Sequence, residues 1–214
     1  MIDIAGLTVR LGDSEILGGL TTRVAEGEAV RLAGPNGCGK STLLNVLAGL
    51  RAPATGEVTV CGRSPRHRSV RAVRGFLQEP PPLYEQLTAR EQLGLVAGLW
   101  GVRPRLLLER ADALGLARHH DVLVGELSLG QRKKLGYVCA TAHDPRLLLL
   151  DEPFNGLDSA ALTAVSDDLA RWKREGRTMI LVSHTDPAEG LLDRTLDLGA
   201  PSPRATLRPT GGGA

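Results

Sequence analysis

Residues 34–41, with the sequence GPNGCGKS, fit the pattern G-x-x-x-x-G-K-[ST]. Glycines let successive backbone N–H groups surround phosphate oxygens without a Cβ clash, and a following helix presents its positive end to the same anion. Lys40 is expected to reach the β- and γ-phosphates, and the Ser41 hydroxyl is expected to ligate Mg²⁺. The sequence therefore predicts a phosphate-binding loop whose residues are Gly34, Pro35, Asn36, Gly37, Cys38, Gly39, Lys40, Ser41 and Thr42.

A second group of chemistry-bearing residues follows an apolar run. Residues 147–150 are four leucines, and Asp151 and Glu152 come directly after them. A strand that ends in two carboxylates would place Asp151 beside Mg²⁺ and leave Glu152 to orient or deprotonate an attacking water. The same pattern also fits a buried strand that runs into an acidic turn; the preceding phosphate-binding loop favours the catalytic interpretation.

Short strands and helices are predicted around these groups. Patterns typical of strands cover residues 2–11, 16–24, 28–33, 57–61, 75–78, 147–150 and 178–183, and helical patterns cover 40–50, most of 88–143 and 159–173. Capping boxes are predicted at Thr88 and Ser128, and Pro104 suits the first turn of a helix. We therefore expect one α/β domain over residues 1–200, with a core of 1–78 and 144–198, a helical insertion at 79–143, and a disordered tail at 201–214.

Composition excludes several classes of protein. Twenty-six basic and twenty-four acidic residues give a net charge of +2, and aromatic residues make up 3% of the chain, so no nucleic-acid partner is expected. The longest nearly apolar stretch, residues 93–102, is too short to span a bilayer, and the sequence predicts no signal peptide. Three widely separated cysteines argue against a disulfide framework or a zinc site.

Further motifs make the chain similar to the nucleotide-binding subunit of ABC (ATP-binding cassette) transporters over roughly residues 5–198. Gln78 matches the Q-loop, and residues 127–131, LSLGQ, match the LSGGQ signature with Leu129 in place of its first glycine. Residues 156–158 match the D-loop, and His184 matches the switch histidine. The Leu129 variant is most similar to the signatures of bacterial drug, bacteriocin or haem exporters.

The resemblance implies a fold, a reaction and partners. The fold is a P-loop NTPase core with a mixed sheet, an N-terminal antiparallel β subdomain and an inserted α-helical subdomain. The reaction is ATP hydrolysis with Mg²⁺ held by Ser41, Gln78 and Asp151, and with Glu152, His184, Gln78 and Lys40 as catalytic residues. Nucleotide contacts would extend to Ser128, Gly130, Gln131 and Asp158.

The partners implied are a membrane permease and a second cassette, in a homodimer or a heterodimer on the cytoplasmic face of the membrane. The segment 80–84, beside Gln78, is expected to contact the permease, and the direction would be export. A non-transport ABC ATPase that acts on ribosomes or DNA, and a regulatory module without turnover, are the alternatives.

Three other features carry separate expectations. Leu11 stands near the position where the family places an aromatic residue against adenine, which puts selectivity for that base in doubt. Arg63, Arg66, Arg68, Arg71 and Arg74 form a basic run that is expected to be a solvated face, with nucleic acid or lipid headgroups as the alternative. His119 and His120 are expected to be an exposed pair, and Phe154 and Trp172 to be packing residues.

Overall fold

A computed structural model describes residues 1–183 and 190–199. The strands are β1 (Ile2–Leu11), β2 (Ser14–Val24), β3 (Ala29–Ala33), β4 (Thr55–Val60), β5 (Arg74–Leu77), β6 (Leu147–Asp151), β7 (Thr178–Val182) and β8 (Arg194–Asp197). The α-helices are α1 (Lys40–Leu47), α2 (Arg68–Val73), α3 (Ala89–Trp100), α4 (Pro104–Ala113), α5 (Leu129–Ala140) and α6 (Ser159–Arg174). Two 3₁₀ turns, Ala117–His119 and Val124–Glu126, connect α4 to α5.

The antiparallel and parallel strands lie in two sheets. An antiparallel sheet has the order β2-β1-β4, and a parallel sheet has the order β5-β6-β7-β3-β8. This combination of sheets and helices is the α/β fold class that the sequence predicts.

The central parallel strands are buried on both faces. Leu147 and Leu149 of β6 pack in one hydrophobic core with α1 and the antiparallel sheet, whereas Leu148 and Leu150 pack in a second core with α3, α4, α5 and α6. The two faces alternate because successive side chains of a strand point in opposite directions. A continuous leucine run is therefore what this position in the sheet requires.

Local sequence signals set several helix starts. Thr88 and Ser128 cap α3 and α5 with complete capping boxes that involve Glu91 and Gln131, and Pro104 is the first residue of α4. These predicted features are all confirmed. Helix α1 ends at Leu47 instead of the predicted Leu50, because Gly49 takes a left-handed conformation (φ +68°) where a Cβ would lie 2.7 Å from the Pro65 carbonyl oxygen.

Two elements were not predicted. One is the short helix α2, which lies within the basic run. Arg74, the last arginine of that run, is half-buried, and its Nη1 donates to the carbonyl oxygen of Pro65 at 3.1 Å. The expectation of a solvated face is wrong for Arg74, whose pKa is lowered to about 10 by burial. Strand β8 pairs in parallel with β3 although it has only four residues, two of them half-buried.

Trp172 and Phe154 are 2% and 7% exposed, so their predicted packing role is confirmed. His119 and His120 are both half-buried, so the expected exposed pair is wrong. The ring of His120 pairs with Asp112 at 2.8 Å, and that of His119 lies 2.9 Å from the side-chain nitrogen of Gln131.

Candidate functional site

The loop at residues 34–39 connects β3 to α1 and depends on its glycines. Gly34, Gly37 and Gly39 have φ values of +132°, +83° and +99°, a region that side chains with a Cβ rarely adopt. A Cβ on Gly34 would lie 2.6 Å from Cys38 Sγ, and one on Gly39 would lie 2.7 Å from Leu17 Cδ2. Gly39 is also the N-cap of α1 and provides no side-chain cap, so the positive end of the helix stays available to an anion.

Lys40 lies over this loop. Its ammonium donates hydrogen bonds to the carbonyl oxygens of Gly34 at 2.8 Å and Pro35 at 3.0 Å. The side chain therefore already points across the loop toward the position that a phosphate would take.

Ser41 and Asp151 meet across two elements. Ser41 lies in the first turn of α1 and lines the same cavity as Asp151, the last residue of β6. Asp151 is 3% exposed, and burial raises the pKa of its carboxyl against the opposing effects of Ser41, Lys133 and Lys40.

These two oxygen donors fit a magnesium ion, which prefers hard oxygen ligands and few protein contacts. A cation here would also offset the cost of keeping the Asp151 carboxylate ionised in a buried position. Among the residues that the structure describes, no group of three or more His, Cys, Asp or Glu side chains could hold a metal ion.

Glu152 stands in a strained turn directly after β6. Its φ is +47°, its N–H donates to the carbonyl oxygen of Val182 at 2.9 Å, and its own carbonyl oxygen accepts a hydrogen bond from Lys133 Nζ at 2.9 Å. Positive φ is uncommon for a residue with a side chain, and such strain concentrates at functional sites.

One open cavity of about 610 Å³ brings these groups together. The wall includes predicted residues from the loop and from the strand end: Asn36, Gly37, Gly39, Lys40, Ser41, Thr42, Asp151 and Glu152. Leu11, which is 46% exposed, also lines this cavity.

Sequence reasoning missed several wall residues. Ile16, Glu79, Asn155 and Val182 also line the cavity. Glu79 follows Gln78 at the end of β5, and this position at the carboxyl edge of the parallel sheet was the signal that could have identified it. Gln78 itself is half-buried and lines an adjacent groove together with Pro81, Pro82 and Trp100.

The signature residues do not line the cavity. Ser128 is exposed at the start of α5, where its hydroxyl accepts from the Gln131 N–H and the Gln131 side chain accepts from the Ser128 N–H. Gly130 lies so close to Gly156 that a Cβ would clash with the Gly156 carbonyl oxygen. Asp158 caps α6 by accepting from the Ala161 N–H at 2.9 Å, and it forms an ion pair with Lys134 of α5.

These contacts join the signature segment to the D-loop segment. His184 lies outside the described residues, as does the tail at 201–214.

A glycine-rich loop between a strand and a helix, with Ser41, the buried carboxylate of Asp151 and Glu152 on one cavity wall, defines a P-loop nucleoside-triphosphatase. Residues 17–155 match the ABC transporter family, and the chain belongs to that family. It is an ATP-binding, ATP-hydrolysing subunit of an ABC transporter. Every helix within the described ranges is too short or too polar to cross a bilayer.

Named relatives include both transport directions. The chain is 33% identical over 184 residues to a lantibiotic transport ATP-binding protein of Streptococcus pyogenes, covering 86% of this chain and 80% of that one. It is 36% identical to a Nod factor export ATP-binding protein of Rhizobium sp. (strain N33), covering 90% of this chain and 66% of that one. It is 35% identical to an aliphatic sulfonates import ATP-binding protein of Pseudomonas putida, covering 95% and 79%.

Solved structures have the same fold. The ATP-binding subunit of an ABC transporter superposes with a TM-score of 0.80 at 29% identity, covering 93% of this chain and 87% of that one. A bacterial ABC transporter cassette solved as a dimer superposes with a TM-score of 0.78 at 25% identity, covering 93% and 95%.

Proposed function

We propose that this chain powers export through a separate membrane permease, and that two cassettes close around two ATP molecules to do so. The observation that carries the proposal is a division of the site. Lys40, Ser41, Asp151 and Glu152 share one cavity, whereas the signature Ser128 lies on an exposed helix end outside it. A second cassette, identical or different, would supply the missing side of each site.

Each residue would have a defined role toward ATP. The backbone N–H groups of Gly34 and of residues 36–42 bind the phosphate oxygens, and Lys40 exchanges its two loop carbonyl contacts for the β- and γ-phosphates. Ser41 and Asp151, with Gln78, hold Mg²⁺, which when bound neutralises charge on the transferred phosphoryl group. Glu152 orients and deprotonates the attacking water. His184, which lies outside the described residues, is assigned toward the γ-phosphate by its match to the switch histidine.

The second cassette would close the site from the opposite side. Ser128 and Gly130 begin a helix whose dipole and first-turn N–H groups outside the capping box attract an anion, which here is the γ-phosphate bound by the other chain. Gln131 fixes Ser128 through the capping box, and Asp158 holds the neighbouring α6 start against the same helix through Lys134. The structural neighbour that was solved as a dimer supports this assembly.

The permease would dock at the groove beside Gln78. This groove is largely apolar, and Pro81, Pro82, Leu83 and Trp100 lie along it next to Gln78. Trp100 is 40% exposed and stacks on His143 with ring centroids 3.7 Å apart. Docking at this groove would keep the chain on the cytoplasmic face of the membrane. The relative named for Nod factor export and the exporter-like Leu129 signature support the outward direction.

The experiment that tests this proposal uses Glu152→Gln, which keeps the side chain's size and removes its negative charge. ATP should still bind, and turnover should fall at least a hundredfold, which corresponds to an increase of about 2.7 kcal/mol in the activation barrier. Size-exclusion chromatography should show a dimer with ATP and a monomer without it. A dimer that ignores ATP, or hydrolysis at the wild-type rate, would contradict the assignment.

Partners in the cell test the transport role separately. Purification of the chain from detergent-solubilised membranes should recover a multi-span protein. Recovery of ribosomes or DNA instead would favour the non-transport alternative. A Glu152→Gln chain that binds ATP and stays monomeric would point to a different cassette as its partner.

A further inference from the structure

Lys133 is a buried cation directly behind the wall of the cavity that contains Lys40, Ser41 and Asp151. It lies on α5, its side chain is 1% exposed, and it is among the largest fully buried side chains of the described residues. Its ammonium forms an ion pair with the carboxylate of Glu79 and donates a hydrogen bond to the carbonyl oxygen of Glu152 at 2.9 Å. Lys133 therefore contacts two segments that line the cavity, although it does not line the cavity itself.

The Glu152 turn depends on this hydrogen bond. The backbone of Glu152 has φ +47°, which a residue with a Cβ adopts only when surrounding contacts hold it there. Its N–H is held by Val182 of β7, and its carbonyl oxygen accepts from Lys133 Nζ at 2.9 Å and from the Asn155 N–H at 3.3 Å. Of these three hydrogen bonds, two are made by backbone groups, and the one from Lys133 is made by a charged side chain.

A purely structural role would not need a charge here. Buried ion pairs gain little stability over well-packed apolar side chains, because removing both charges from water is costly. Burial lowers the pKa of the Lys133 ammonium, while the charges of Glu152 and Asp151 oppose that effect. The cation is thus retained in an unfavourable place, where it pairs with the carboxylate of Glu79 and donates to the carbonyl oxygen of Glu152, two of the three carboxylate-bearing residues of the cavity wall.

We propose that Lys133 is a positioning residue for ATP hydrolysis: its ammonium holds the Glu152 turn in the orientation from which the carboxylate reaches the attacking water, and it holds Glu79 on the cavity wall. This inference rests on the proposed role of Glu152. Since Lys133 touches neither the loop nor Lys40, its removal should slow the chemical step and leave nucleotide affinity largely unchanged.

The test compares Lys133→Met with a matched control, Lys173→Met. Lys173 also pairs with a carboxylate, that of Asp193, and donates to a backbone carbonyl, that of Gly27 at 2.9 Å, but it lies away from the cavity. With steady-state ATPase assays, Lys133→Met should lower kcat at least tenfold with KM for Mg-ATP within twofold, and Lys173→Met should leave both within twofold. Lys133→Arg, which keeps the positive charge and a donor, should lose less activity than Lys133→Met.

Measuring kcat and KM of Lys133→Met in the Glu152→Gln background shows whether Lys133 acts through the Glu152 carboxylate or lowers activity independently of it. If Lys133 acts through Glu152, Lys133→Met should cause no further loss once the carboxylate is gone. An equal fold-loss in both backgrounds, or a kcat within twofold of wild type in a folded Lys133→Met protein, would overturn the proposal for Lys133 alone. Wild-type turnover in Glu152→Gln itself would instead overturn the role of Glu152 and, with it, this inference.

Folding is monitored by urea unfolding of each variant. If Lys133→Met alone does not fold, the double variant Lys133→Met/Glu79→Gln leaves no unpaired buried charge and is measured in its place against Glu79→Gln. The same tenfold loss of kcat, relative to Glu79→Gln, is then expected, and its absence would overturn the proposal.

Discussion

The side chains of Ser41 and Asp151 line one cavity, although the two residues belong to different elements of the chain. Ser41 lies in the first turn of α1, and Asp151 ends β6. The Ser41 hydroxyl favours the ionised form of a carboxylate that is 3% exposed and whose pKa is raised by burial. Function therefore maintains a charge at a place where the nucleotide-free fold disfavours it.

Asp151→Asn should stabilise the nucleotide-free protein and abolish stabilisation by Mg-ATP. The pKa of Asp151 is higher in the folded than in the unfolded chain, so the ionised form destabilises the fold above that pKa, and the penalty disappears as pH falls through it. At pH 7 the variant should melt at a higher Tm than wild type, with the difference narrowing in acid. Saturation at a hundred times Kd should stabilise wild type by about 2.7 kcal/mol and the variant by much less.

Asp13→Asn is the control for this prediction, because Asp13 is an exposed carboxylate in the β1–β2 turn. It should change neither the Tm nor the response to Mg-ATP. An Asp151→Asn protein that melts below wild type at pH 7 would show that the favourable effects of Ser41, Lys133 and Lys40 on the carboxylate outweigh the cost of burying its charge.

Base selectivity should be low, because Leu11 lines the cavity where an aromatic residue would stack on adenine. ATP and GTP should compete within about tenfold, since the phosphates provide most of the affinity and tenfold is about 1.4 kcal/mol. Leu11→Tyr should tighten both nucleotides by roughly tenfold, because stacking of a base on an aromatic ring contributes about 1–3 kcal/mol. Fluorescence titration with each nucleotide provides the measurement.

Leu50→Tyr makes the same change at another exposed leucine, outside the cavity, and should leave nucleotide affinity unchanged. A hundredfold preference of the wild-type chain for ATP would mean that a group other than residue 11 recognises adenine.

Elements that depend on neighbouring residues could be predicted from the sequence. The capping boxes at Thr88 and Ser128 form between residues that are three positions apart. The run of leucines in β6 predicts a strand that is buried on both faces. The phosphate-binding loop is equally local, because its glycines, Lys40 and Ser41 are contiguous.

Contacts between distant segments could not be predicted. Helix α5 buries the side chains of Lys133 and Lys134. Hydrophobic periodicity alone places charged residues such as these on the solvent-exposed face of a helix. Their partners, Glu79 and Asp158, come from other elements of the chain, and only the folded arrangement brings them within reach. Strand β8 was missed for a similar reason: its place is defined by pairing with β3 and not by an apolar pattern of its own.

Gly130→Ala should destabilise the fold by about 1–3 kcal/mol, because its Cβ would clash with the Gly156 carbonyl oxygen and force the signature and D-loop segments apart. Gly98→Ala is the matched control in α3, where a Cβ meets nothing within 4 Å. It should stabilise the protein by about 0.5–1 kcal/mol, as expected for a glycine in a helix interior. Urea unfolding of the two variants should therefore give changes of opposite sign, and the same sign in both would contradict the role of the contact.

Ser128→Asp and Ser128→Asn, each made in the Glu152→Gln chain, should separate the two functions of Ser128. Aspartate and asparagine both cap helices about as well as serine, so both variants should keep the stability of the parent. In the proposed dimer the residue faces the γ-phosphate of the other chain, where a carboxylate repels the phosphate and the isosteric amide does not. With ATP, size-exclusion chromatography should show a dimer for Ser128→Asn and a monomer for Ser128→Asp, with ATP bound in both cases because the phosphate-binding loop is intact.

Raising the salt concentration should partly restore the Ser128→Asp dimer, since screening weakens repulsion between charges that solvent can reach. Equal dimer formation by the two variants would show that position 128 does not approach the phosphate, and that Ser128 serves only to cap α5.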